Sequence, residues 1–205
     1  MHIFVLGDEG KKEEFSKKKI ATEVEITYKN KMPNRMMLSD INVCFILTEN
    51  IKTEELSVLN DTQVFFASTI NTLKETDLPD NFHRITGWPT LISRGTWEIA
   101  TNKEAAVENI FNLLGWKYMI VADEPGLVSA RIISMIINEA YYAFGENVSS
   151  KEEIDIAMKL GTNYPYGPFE WSQIIGLNNI YDLLKKLSET DNRYKPAPAL
   201  KSEIS

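Results

Sequence analysis

Residues 123–131 read Asp123-Glu124-Pro125-Gly126-Leu127-Val128-Ser129-Ala130-Arg131. An apolar stretch runs on to Phe144, then come Gly161-Thr162-Asn163-Tyr164-Pro165-Tyr166-Gly167-Pro168-Phe169-Glu170 and, near the end, Arg193-Tyr194-Lys195-Pro196-Ala197-Pro198-Ala199-Leu200. Everything after the Asp-Glu-Pro-Gly break reads as helix. Residues 127–144 are apolar on most of the circumference, with Arg131, Ser134 and Asn138 on one stripe, so nearly the whole helix is expected to be buried. Ser150-x-x-Glu153 is a capping box, in which each side chain satisfies a free amide of the first turn. The helix it opens is expected to bury Ile154, Ala157 and Met158 and to stop at Gly161. Pro168 has no amide to leave unpaired and suits the first position of the next helix. Ile180, Leu184 and Leu187 form a last apolar stripe, widened by Leu183. The break predicts two domains, 1–122 and 123–205.

Upstream of the break, short apolar runs alternate with polar, helix-like stretches. Residues 2–6 and 23–28 read as strands. Residues 43–47 and 64–67 are continuous apolar runs, as expected in a sheet covered on both faces. Charged residues 11–19 are long enough for a short helix. Gly87, Pro89 and Gly95 make 82–100 strands and turns rather than helix, with Trp97-Glu98-Ile99 a short strand. Residues 104–114 carry a helical apolar stripe closed by Gly115, and 118–122 form another strand. This alternation predicts a mostly parallel α/β sheet.

The chain has 205 residues, a formal net charge of −7, one cysteine and two histidines. No basic surplus is available to neutralise phosphates, which disfavours nucleic acid or an anionic membrane as partner. Cys44 lies in an apolar run and reads as a buried structural thiol. So few histidine and cysteine ligands predict no zinc or transition-metal cluster. Residues 1–8 lack a basic lead and carry only a short apolar run, so no secretory signal is expected there. The apolar segment 127–144 contains Arg131, Asn138 and Glu139 and reads as a core helix, not a membrane span.

The three C-terminal stretches closely resemble the helical domain of 3-hydroxyacyl-CoA dehydrogenases, whose Asp-x-Pro-Gly-Phe, Tyr-Pro-Met-Gly-Pro-Phe-Glu and Tyr-x-Pro-x-Pro segments have counterparts here. The resemblance implies a reduced Rossmann-like α/β domain followed by the all-α C-terminal domain of that family. It also implies NAD as cofactor and catalysis by a histidine–glutamate pair, with an asparagine and a serine holding substrate. On that pattern Gly7 opens the dinucleotide loop and Gly10 is its only other glycine. The second and third glycine positions hold Glu9 and Lys12. The second glycine lets the pyrophosphate approach bare backbone, and the third allows close helix–strand packing. Glu9, beside Asp8, is expected to repel the phosphates, and Lys12 to obstruct the packing. Glu98 matches the catalytic glutamate. Anchored on Gly87, the histidine position is Pro89; His83, six residues earlier, reads as a surface residue ahead of the strand. The asparagine position is Ala130, and the serine position aligns with Asn71. The segment between residues 20 and 45 is shorter than in the family, where an extra helical arm contributes to coenzyme A binding.

Three functions are open to such a chain: a member of the family impaired or silent in hydride transfer, an active NAD-dependent dehydrogenase with His83 or another group as base, or a non-catalytic protein that binds an acyl-CoA or other small acid. By resemblance NAD binding is expected to be weak or absent. A cytoplasmic homodimer is expected through the helical domain, with Met135, Tyr142, Phe169 and Trp171 at the contact.

Overall fold

Five short strands run parallel in the order β2-β1-β3-β4-β5: β1 (His2–Leu6), β2 (Glu25–Lys29), β3 (Val43–Ile46), β4 (Gln63–Ala67) and β5 (Phe82–Ile85). Ile3 pairs with Ile26 on one side and Val43 on the other, and Val64 pairs with Phe82. The computed structural model describes residues 1–21, 23–32, 40–49, 51, 56, 59 and 62–204, and it divides into two units, Met1–Leu127 and Val128–Ser205.

In the first unit every residue of β3 and β5 is buried, as is all of β4 except Gln63. The period of two sends alternate side chains to opposite faces. Ile3, Val5, Val43, Phe45, Phe65 and Ile85 form one core, with Phe15 of α1 (Glu9–Ser16) and Phe111 of α3 (Glu104–Leu114) packed on it. Phe4, Leu6, Cys44, Ile46, Val64, Phe66 and Phe82 form the other. Both faces are therefore covered, as the apolar runs require. The Cys44 thiol is fully buried, and that burial pushes its pKa up. A second parallel pair, β6 (Thr96–Ile99) and β7 (Lys117–Ile120), joins β5 through one antiparallel bridge between Arg84 and Ala100. Residues 123–127 fold with this unit, since Leu73 N of α2 (Leu73–Thr76) donates to Asp123 Oδ2 at 2.8 Å and Gly126 N to the Thr69 carbonyl at 2.7 Å.

The second unit is helical: α4 (Ser129–Gly145), α5 (Lys151–Thr162), α6 (Pro168–Ile175), α7 (Leu177–Ser188), a 3-10 turn at Asn192–Tyr194 and α8 (Pro198–Glu203). The Ser150–Glu153 capping box is present, and Pro168 opens α6. Contrary to expectation, α5 does not bury Ala157, which is exposed, and Ile154 and Met158 are only half-buried. Its buried residue is Asp155, whose carboxylate accepts from Phe169 N (2.8 Å) and Glu170 N (3.1 Å) and so caps the next helix. This explains the glycine of the Tyr-Pro-Tyr-Gly-Pro motif: a Cβ at Gly167 would overlap the Asp155 carboxylate. Asn138 on α4 holds the terminal segment, donating to the Lys195 carbonyl (3.0 Å) and accepting from Ala197 N (2.8 Å). Phe169 and Trp171, expected at a subunit contact, are only 3% and 6% exposed. Phe169 packs edge-on against Tyr141, and Trp171 packs against Tyr164 and Tyr166, so both belong to the unit's own core.

Among the described residues no helix is long and apolar enough to cross a membrane, and no group of His, Cys, Asp and Glu could hold a metal ion.

Candidate functional site

In an open parallel sheet, ligands bind beyond the carboxyl ends of the strands where the strand order reverses. Here that edge lies at the ends of β1 and β3. Gly7 follows β1, its amide bonded to the Lys29 carbonyl at 3.1 Å. Asp8 then caps α1, its carboxylate accepting from Lys11 N at 3.0 Å. Gly10 lies within α1. A helix N-terminus attracts anions because its first amides are unpaired; at this one the chain's own Asp8 carboxylate takes the Lys11 amide. Glu9 is 82% exposed, and hydrogen bonds from Lys12 and Asn30 lower its pKa. Lys12 does not wedge helix from strand as expected: its ammonium turns to Glu9 (2.6 Å) and Asn30.

Beyond β3, the Glu49 carboxylate gathers three strand ends. It accepts from Thr69 N (2.9 Å), the Thr69 hydroxyl and Gly87 N (3.1 Å), while the Thr69 and Thr86 hydroxyls lie 2.9 Å apart. A Cβ at Gly87 would overlap Ala67 and the Leu47 carbonyl, so this close approach of β3, β4 and β5 needs glycine. Asn71 lines a cavity of about 210 Å³ with Thr48, Ser68 and Glu75 above an apolar floor of Ile46 and Phe66. Pockets that enclose whole small-molecule ligands usually exceed about 300 Å³.

Beneath this edge Arg84 is fully buried. Its guanidinium donates to the Ser68 carbonyl (2.6 Å), the Thr69 carbonyl (3.1 Å), the Glu124 carbonyl (2.8 Å) and Asp123 (2.5 Å). Burial works against its charge, and Asp123 works for it. Sequence reasoning assigned no role to Glu49, Arg84 or Asp123. The one legible signal was an arginine, beside His83, between the apolar Phe82 and Ile85.

Glu98 lies on β6 with its side chain 10% exposed, 3.7 Å from the Arg94 guanidinium. Pro89 follows the buried Trp88 in a loop tied to α1, because the Glu14 carboxylate accepts from Thr90 N (2.8 Å) and Ser93 N (3.2 Å). Thr90 has φ +71°, a strained conformation for a β-branched residue. Ala130 is buried on α4. His83 is not a surface residue ahead of the strand. It lies within β5, fully buried, with Nε2 2.9 Å from Gln63 Oε1 and Nδ1 2.7 Å from the Thr101 hydroxyl. Desolvation pulls its pKa down to about 4. His2, the other histidine of the chain, bonds Thr27 on β2 at 2.9 Å.

The first unit is a Rossmann-like parallel sheet covered on both faces, and the second is helical. Residues 126–204 match the family model for the 3-hydroxyacyl-CoA dehydrogenase C-terminal domain. The helical unit is thus similar to the C-terminal domain of that family. The chain is 38% identical over 107 residues to the 3-hydroxyadipyl-CoA dehydrogenase of Escherichia coli K12, a match covering 50% of this chain and 22% of that one. It is 36% identical over 110 residues to a probable 3-hydroxybutyryl-CoA dehydrogenase of Bacillus subtilis, covering 52% of this chain and 38% of that one. The matches thus span well under half the length of these relatives. The fold is similar to that of (S)-3-hydroxybutyryl-CoA dehydrogenase from Ralstonia eutropha, with TM-score 0.77, 18% identity, and coverage of 99% of this chain and 93% of that one.

Proposed function

We propose that this protein is a 3-hydroxyacyl-CoA dehydrogenase-like protein that has lost NAD-dependent hydride transfer. The observation that carries the reading is the placement of its two histidines. The family's reaction needs an imidazole beside the glutamate to take the hydroxyl proton, and a general base must come within hydrogen-bond reach of that proton. The family position is Pro89, which has no titratable group. His83 is enclosed in β5 with both ring nitrogens engaged, and His2 is bonded at β2. Glu98 keeps its strand and lies near Arg94.

Bound NAD would supply the hydride acceptor, but the residues at the β1–α1 turn do not fit its diphosphate. The Asp8 carboxylate caps the helix start where phosphate oxygens would be received, and Glu9 replaces the glycine over which they would pass. Two carboxylates at that point oppose a second pair of negative charges, which supports weak or absent NAD binding. The test is NADH oxidation with acetoacetyl-CoA. Consumption of NADH should match the protein-free blank. Steady turnover that Glu98→Gln abolishes would overturn the reading.

A homodimer through the helical unit belongs to the same proposal, with the cytoplasm as its compartment. It is supported by large apolar side chains left exposed on that unit: Ile132 (53%), Val148 (68%), Ile156 (54%) and Leu160 (82%). A helical unit of this size has limited core of its own, and one self-complementary patch closes a two-fold assembly. Light scattering should give twice the 23.4 kDa chain mass. Leu160→Glu should shift the protein toward monomer, and a wild-type monomer at micromolar concentration would refute the dimer.

A further inference from the structure

Although the chain carries 29 acidic and 22 basic side chains, five of the basic ones surround a single groove of the first unit. Lys17, Lys18 and Lys19 follow α1, Arg94 precedes β6, and Lys117 opens β7. They line a groove of about 400 Å³ whose lining contains no acid. Its floor is the stacked pair Trp97 and Trp116, ring centroids 6.0 Å apart. Lys18 lies over this floor, its ammonium 4.4 Å from the Trp97 centroid and 5.8 Å from that of Trp116, and it donates to the Arg94 carbonyl at 2.6 Å. Trp116 Nε1 donates to the Lys19 carbonyl at 2.8 Å, which fixes the lysine run to the aromatic floor.

The acids nearby are already engaged. Glu13 pairs with Lys17 at 3.0 Å, Glu14 holds the amides of Thr90 and Ser93, and Glu98 lies 3.7 Å from Arg94. Among the described residues Lys19 and Lys117 make no ion pair, and both are exposed. Desolvation lowers the Lys18 pKa to about 8, with Glu14 opposing. A charge held against aromatic faces at that cost is relieved when an anion enters.

We propose that this groove binds a small phosphorylated ligand, whose phosphate groups are received by Lys19, Lys117 and Arg94 above the Lys18–tryptophan floor. Several cations converging on one groove suit an anion with more than one charge. A guanidinium matches two oxygens of a phosphate, while lysine acts as a point charge. The tryptophan faces are covered by each other and by Lys18, so recognition rests on the phosphates, with no ring stacking required. The volume is that of a small-ligand site. A chain of net charge −7 opposes the long phosphate tract of a nucleic acid. The groove is built from the lysine run after α1 and the starts of β6 and β7, apart from the β1–α1 turn, so the proposal stands whether or not NADH is turned over.

The test is calorimetric titration of the full chain with inorganic pyrophosphate. Wild type should bind saturably, at least ~10-fold more weakly at about 200 mM than at about 50 mM salt, because counterions are exchanged. Lys19→Gln with Lys117→Gln alters only exposed side chains and should weaken binding at least ~10-fold, as loss of two phosphate contacts predicts. Lys185→Gln with Lys186→Gln on α7 should leave it unchanged. No saturable heat, or equal weakening by both pairs, would overturn the proposal. So would a short single-stranded oligonucleotide that binds more tightly than pyrophosphate with the same dependence on Lys19 and Lys117.

Discussion

Arg84→Met should destabilise the first unit by about 3–5 kcal/mol, the cost of removing one partner from a buried ion pair. The methionine keeps most of the volume and removes every donor. Asp123 then loses its cation, and the carbonyls of Ser68, Thr69 and Glu124 lose the bonds that hold residues 123–127 to the end of β4. Asp123 retains Leu73 N and is 29% exposed, so water relieves part of its loss. The Thr69 carbonyl keeps its bond from Gly126 N, and Glu124 is exposed, whereas the buried Ser68 carbonyl loses its Arg84 donor, and an unmade buried bond costs about 1–3 kcal/mol. Tryptophan fluorescence in a urea titration is the readout, because Trp88, Trp97 and Trp116 all lie in this unit. Adding Asp123→Leu should restore part of the stability, since neighbouring partners are not additive. A loss below about 1 kcal/mol, the level of a surface ion pair, would show that Arg84 is not the clamp.

That clamp marks where the sequence was hard to read. The strands were legible because continuous apolar runs such as Val43-Cys44-Phe45-Ile46 carry their own burial signal. The capping box at Ser150 and the proline at 168 were legible because capping is local. Helix α5 was misread because a buried carboxylate looks like a surface one. Asp155 is buried to cap α6, fourteen residues away in contact, and no periodicity reports that. His83 was misread for the same reason. Gln63 and Thr101, which satisfy its ring, lie 20 and 18 residues off in the chain and meet it only across β4–β5 and the end of β6.

The candidate site divides along the same line. Positions defined by an internal motif, such as Gly7, Gly87 and Glu98, could be located from the motif itself. Glu49 could not, because its importance comes from receiving the amides of Thr69 and Gly87 at the ends of two other strands. The positions Glu9, Pro89 and Ala130 stand in a framework that keeps the close-approach glycines Gly87 and Gly167 and its helix caps. The fold therefore says little about turnover, and the side chains at those positions carry the functional reading.

The stability of the first unit should fall by about 3 kcal/mol through His83 alone as pH drops from 6.5 to 4, the linkage expected for a pKa displaced by that interval. The sign follows from which state binds the proton. Unfolded, the imidazole has its ordinary pKa of 6.5; folded, burial holds it near 4. Above pH 6.5 neither state is protonated and the contribution is fully present. Between 6.5 and 4 only the unfolded chain takes up a proton, so stability drains away as pH falls. The native ring is neutral, donating from Nε2 to Gln63 and accepting at Nδ1 from the Thr101 hydroxyl. Protonation would bury a charge and set Nδ1–H against that hydroxyl. His83→Phe keeps a ring against Phe65, whose centroid lies 4.9 Å away, and removes the titration. Urea titrations of both proteins across this range isolate the effect, because carboxylates contribute equally to each. The difference between wild type and variant should shrink by about 3 kcal/mol from neutral to acid pH. An unchanged difference would mean that His83 titrates normally and is open to solvent. It would then regain its standing as a candidate base, and the silent reading of the site would lose its main support.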